Sequence, residues 1–195
     1  MTGRSNRHRT SAPMREEHPT PFPTALLLDT SFLRTIGGTE SDSYQTFIQY
    51  VQTEDRDLYL SPGVVEELTE QRGYISIDWV DRADTADWIT LVGDIQPGVR
   101  VHDGPRAGQV MDRVHQRLAT FEQTNPDELR KTDSELPAVA VMLLGSTPHD
   151  SVGILMDDRN AERAIAGVIE NTYYEGRIRV IALWTALEYM EAQIE

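Results

Sequence analysis

The chain has 195 residues, no cysteine and a formal net charge of -14. Such a length suits one domain with a core that needs no cross-links, and the lack of cysteine excludes disulfides and thiolate metal sites. No apolar run approaches the roughly 18 to 20 residues of a membrane span and no apolar leader opens the chain, so a cytoplasmic protein without membrane contact is expected. Residues 1–23 are polar and proline-rich, with Arg4, Arg7, Arg9 and Arg15 against Glu16 and Glu17. They read as a disordered tail, either a solvated extension or one that touches phosphates. Residues 24–195 read as one domain.

In ALLLD, residues 25–29, a continuous apolar run ends on a carboxylate, as in a strand buried on both faces. TSFLRTI then opens a helix with Thr30 or Asp29 as its cap. Tyr44, Phe47, Ile48 and Val51 recur at helical spacing. DLYLS, 57–61, is a second strand, and SPGVVEELTEQ a helix capped by Ser61 with Pro62 in its first turn. Over 75–92, Trp79, Ala83, Ala86 and Ile89 predict one or two further amphipathic helices. Val110, Val114, Leu118 and Phe121 predict another over 106–122. DSELPAVAVMLLG, 133–145, begins as a capped helix in which Pro137 is tolerable only near the first turn. VGILM, 152–156, is a third strand closed by Asp157 and Asp158; RNAERAIAGVIE is a helix; RIRVIAL, 177–183, is a fourth strand; WTALEYMEAQI is a last helix. Strands alternating with helices predict a three-layer α/β/α domain with a central, mainly parallel sheet of four to five strands. Ligands of such sheets bind beyond the carboxyl ends of the strands.

Lys131 is the sole lysine among 18 basic residues. The acidity fits either an ordinary soluble protein or a cytoplasmic protein of a salt-loving organism, whose carboxylate surface holds water. Near 1 M salt the Debye length is only about 3 Å, so acidity does not exclude an RNA partner.

Asp29 ends the first strand, Glu67 lies in the helix after the second, Asp133 opens a helix, and Asp158, beside Asp157, ends the third strand. Three have a plain alternative: Asp29 and Asp133 as N-caps, Glu67, with Glu66, as a solvated face. Should the strand ends converge, several carboxylates share one pocket, and like charges that close need a cation. Oxygen ligands without Cys or His suit Mg²⁺ or Mn²⁺ rather than Zn²⁺. Two such ions, roughly 4 Å apart, can activate water for phosphodiester hydrolysis.

LLLDTSFL, LYLSPGVVEEL, TDSELPAVAVML and GILMDDRNAERAI, in that order over about 25–194, resemble a PIN domain, the nuclease fold of VapC-type toxins and several RNA-processing enzymes. The resemblance implies that Asp29, Glu67, Asp133 and Asp158 are the catalytic and metal-site residues. Glu66 competes with Glu67, and Asp157 with Asp158. Thr30 or Ser31 would orient the first acid or hold a metal water. Where the family often has Thr two places before the last acid, this chain has Met156. A metal-dependent endoribonuclease is implied, either a toxin with an antitoxin partner or a processing enzyme, and a homodimer is common in the family. A helical insertion over about 72–130 is expected beside the site. Arg113 and Arg117, one helical turn apart, with Arg130 and Lys131, are candidate RNA contacts; salt pairing with acids such as Asp112 is the alternative. Two other functions compete. One is a catalytically silent PIN-like scaffold. The other is a haloacid dehalogenase-type phosphatase, with Asp29 as nucleophile and Lys131 as its cation, although Ser31 stands where that family has a second Asp. Trp79, Trp88 and Trp184 are expected as core or interface anchors.

Overall fold

The structure, a computed structural model, describes residues 22–70, 79–83 and 85–194. β1 (Ala25–Leu28), β2 (Asp57–Leu60), β3 (Ile89–Leu91), β4 (Val152–Met156) and β5 (Ile178–Ala182) form one parallel sheet in the order β3-β2-β1-β4-β5. A parallel sheet is covered on both faces. That is why β1 and β4 are apolar at every position and buried throughout.

Eight α-helices are present among the described residues: α1 (Thr30–Thr35), α2 (Asp42–Thr53), α3 (Pro62–Glu70), α4 (Trp79–Ala83), α5 (Ala107–Glu122), α6 (Thr132–Ser146), α7 (Arg159–Ile169) and α8 (Leu183–Ile194). α5, α6 and α7 pack on one another, α6 against β4 and α7 against β5; α2 pairs with α8, which lies against β4 and β5. Side-chain caps start the helices where hydroxyls precede apolar runs. Ser41 Oγ accepts from the Tyr44 N–H at 3.2 Å and Ser61 Oγ from the Val64 N–H at 3.3 Å.

All strands run the same way, so their carboxyl ends share one rim. The chain builds outward from β1 through β2 to β3, then returns to place β4 on the other side of β1. This reversal opens a crevice between the carboxyl ends of β1 and β4.

The sequence expectation fails at two places. Helix was expected through Ile89, but α4 ends at Ala83 and residues 89–91 form the edge strand β3. Only Ile89 of that strand is buried, so its apolar spacing continues that of Trp79 and Ala83 without sharing their conformation. Part of the 75–92 window, residues 75–78, lies outside the described residues, as do residues 1–21 of the expected tail. Phe22 and Pro23, also assigned to the tail, are buried; Phe22 stacks on Tyr189 with ring centroids 4.6 Å apart. The rest of the expected insertion forms α4, β3, α5 and a 3-10 turn at Pro126–Glu128.

Candidate active site

Asp29 follows β1 and caps α1, 3 % exposed. Its Oδ2 accepts from the Ser31 N–H at 2.9 Å and from the Ser31 hydroxyl. Ser31 Oγ in turn accepts from the Asp157 N–H at 2.9 Å, and the Asp29 N–H donates to the Leu155 carbonyl at 3.0 Å. The ends of β1 and β4 are thereby tied together. Burial pushes the Asp29 carboxyl above its ordinary value, against the lowering by the Ser31 hydrogen bonds.

Asp158 caps α7: its Oδ1 accepts from the Asn160 and Ala161 N–H groups at 2.7 and 2.9 Å. Asp133 lies in the first turn of α6, after the backbone cap at Lys131, so it does not itself cap the helix. Pro137 falls in the second turn, where it has no N–H to give the Asp133 carbonyl. Glu67 projects from α3, and Arg130 Nη1 stands 3.9 Å from its Oε1 and 3.5 Å from Glu70 Oε2.

Asp29, Glu67, Asp133 and Asp158 line a single cleft of about 380 Å³, together with Thr30, Ser31, Arg34 and Arg130. Four carboxylates from four different elements meet at the crevice between β1 and β4. Crowding shows in the Asp133 carboxyl, pushed up to about 7 by burial first and then by the charges of Asp29, Asp158, Glu67 and Glu122.

The geometry separates the two ambiguous pairs. Glu67 enters the cleft, while Glu66 is exposed and lines only the neighbouring depression with Glu70, Lys131 and Glu135. Asp158 enters it, while Asp157 is exposed and its Oδ2 accepts from the Thr35 hydroxyl at 3.2 Å. Arg130 lines the cleft, but Lys131 lines only the depression beside it. Arg113 and Arg117 are not brought to the acids. They border a separate groove between α5 and α7 along with Asp112, where Arg117 Nη1 donates to the Gly167 carbonyl at 3.4 Å and its guanidinium lies over the Phe121 ring.

Two residues of the site were missed in the sequence. Arg34 reaches the cleft from the last turn of α1; nothing in its spacing marked it. Glu135 accepts from the Gly63 N–H at 3.0 Å and so fixes the start of α3, the helix that carries Glu67. The SPG turn was the available signal, since a Cβ at Gly63 would stand 2.6 Å from Glu135 Oε2.

Among the described residues no three carboxylates or imidazoles converge closely enough to grip one ion by direct bonds. The donor set nonetheless suits a hard divalent cation. Mg²⁺ keeps several waters and needs few direct carboxylates, and a cation offsets the burial and the neighbouring charges that together push Asp133 up to about 7. The Thr30 hydroxyl, buried at the cleft without a hydrogen-bond partner, suits the second role expected of it, orienting a water.

A family model described as "Halobacterial PIN domain" matches residues 22–195. No curated protein matches the chain.

Proposed function

The chain belongs to the halobacterial PIN domain family, a nuclease-type fold, and from that premise we propose that it is a divalent-metal-dependent endoribonuclease. The observation that carries the reading is the convergence of Asp29, Glu67, Asp133 and Asp158 on one cleft at the sheet's switch point. These four would hold Mg²⁺ or Mn²⁺. When bound, the cation neutralises the carboxylates, acidifies water and offsets charge developing on a phosphodiester.

The chain's own groups supply the rest. The Ser31 hydroxyl and N–H hold the Asp29 carboxylate in one orientation. Arg34 and Arg130, the two guanidiniums of the cleft, are placed to take non-bridging phosphate oxygens. Arg130 is 69 % exposed and its ion pairs with Glu67 and Glu70 lie at the surface, at 3.9 and 3.5 Å, so it can turn to a phosphate at little cost. Water attacks phosphorus, the bond to the leaving ribose oxygen breaks, and no covalent enzyme intermediate forms.

A second reading, a catalytically silent module, is favoured by the open spacing of the acids and by buried Met156 in the place of a hydroxyl. The phosphatase reading is set aside, because Lys131 lies outside the acid cleft while Glu67 lies within it. The deciding experiment is cleavage of total RNA with Mn²⁺ in high-salt buffer, comparing wild type with Asp29→Asn and Asp158→Asn, with folding checked by circular dichroism in the same buffer. Discrete fragments made by the wild type and lost in both variants support the nuclease. No fragments from a folded, Mn²⁺-loaded protein leave the silent module.

A further inference from the structure

Trp184 is the most exposed large apolar side chain among the described residues, 66 % exposed, whereas Trp79 is fully buried and Trp88 partly so. Its neighbours on α8, Leu183, Ala186 and Leu187, are buried against the core, so the helix is docked while the indole of its first turn stays outside. Its position is specific. The β4–β5 ladder ends at the pair Met156↔Ala182. Asp158 lies two residues beyond that rung on one strand and Trp184 two residues beyond it on the other. Adjacent strands are about 4.8 Å apart, so the two residues leave the sheet at the same end, Asp158 as the cap of α7 and Trp184 in the first turn of α8. Helix Cα–Cβ bonds tilt toward the helix N-terminus. The α8 N-terminus stands at the carboxyl rim of the sheet, so the indole leans toward the rim that carries the acids.

We propose that Trp184 is a stacking platform for an unpaired base of the RNA whose phosphate enters the acid cleft. The inference rests on the ribonuclease reading and narrows the substrate to single-stranded RNA at this position. Sites for single strands pair cations that take the backbone with aromatic faces that take the bases. This rim offers both, with Arg34 and Arg130 in the cleft, Arg159 exposed after Asp158, and Trp184 exposed in the first turn of α8 at the same end of the sheet. A duplex keeps its bases stacked on one another and has none to offer, so the platform favours single strands.

The test uses the full chain carrying Asp29→Asn, which binds without cutting, and a fluorescein-labelled single-stranded RNA oligonucleotide in high-salt buffer. Binding should quench tryptophan emission, and Trp184→Phe in the same background should remove the quench. By anisotropy, Trp184→Ala should weaken the oligonucleotide by about five-fold or more, the lower end of what one base–aromatic stack contributes, while Trp184→Phe retains most of the affinity. With otherwise wild-type protein, Trp184→Ala should raise KM and leave kcat near its original value. Unchanged affinity and KM in Trp184→Ala would overturn the proposal while cleavage still upheld the nuclease. Sedimentation showing that Trp184→Ala turns a dimer into a monomer of unaltered RNA affinity would also overturn it, assigning the indole to a second copy. Trp184-dependent binding without cleavage by the wild type would keep the platform and remove the hydrolase. Neither binding nor cleavage would remove both.

Discussion

At the residue scale the site turns on one hydroxyl and one crowded carboxyl. Ser31 Oγ donates to Asp29 and accepts from the Asp157 N–H, so a single side chain fixes the first acid and joins two strand ends. Partners of metal-holding groups typically govern metal affinity by about 10- to 100-fold. Ser31→Ala should therefore weaken Mn²⁺ by about that factor in a calorimetric titration, and Ser31→Thr should recover part of it. Asp133 makes the opposite point. Burial and the acids around it push its carboxyl up to about 7 from the ordinary 3.8, so between those values the folded chain holds a proton that the unfolded chain has released. Metal-free stability should then fall as pH rises through that window and level off above it. Asp133→Asn should flatten this part of the pH–stability curve measured by urea unfolding. Divalent cations displace the proton, so Mn²⁺ affinity should rise with pH up to about 7.

At the element scale, the contact that sets Glu67 in the cleft is the approach of α3 to α6. Gly63 lies against Glu135 so closely that Gly63→Ala would push a methyl to 2.6 Å from the carboxylate and 3.2 Å from Thr132. The carboxylate end of Glu135 can swing aside, so the substitution should cost about 1 kcal/mol in unfolding free energy, the loss of the bond to the Gly63 N–H. Gly63→Ala and Glu135→Ala together should cost less than their sum, since both break one bond. Much of this scale was legible in the sequence. The apolar runs of β1 and β4 announced strands buried on both faces, and an acid at each end announced the rim. The phase of α3 distinguishes its two glutamates: Glu67 follows buried Gly63 and Val64 by four and three residues, whereas Glu66 follows part-exposed Pro62 by four and only Gly63, by three, is buried. β3 was not legible, because three residues with one buried side chain carry no period of their own. Nor was the pairing of Gly63 with Glu135, which depends on how two helices meet 72 residues apart. Arg113 and Arg117 share a helix face as their spacing required, but spacing cannot say that α7, not the acid cleft, lies opposite.

At the scale of the whole molecule, a net charge of -14 acts on the fold in two ways that different salts separate. Self-repulsion among surface carboxylates is long-ranged and destabilises the compact state. It is screened by any electrolyte, with a Debye length that falls from about 10 Å at 0.1 M to about 3 Å at 1 M. Repulsion inside the cleft is different, because Asp29 is 3 % exposed and Asp133 is half-buried, so bulk ions reach these groups poorly. Potassium chloride raised toward molar concentration should therefore raise the thermal midpoint of the wild type and of Asp29→Asn alike. Millimolar Mn²⁺ at fixed high potassium chloride should raise the wild-type midpoint further, in a saturable way set by its affinity. It should do little for Asp29→Asn, which lacks one of the four proposed ligands. If Mn²⁺ stabilised both proteins equally, its action would be surface screening, and the four converging carboxylates would be a strain on the fold with no cation to relieve it. If only the wild type responded, the same repulsion that weakens the metal-free protein would be the source of its affinity for the metal.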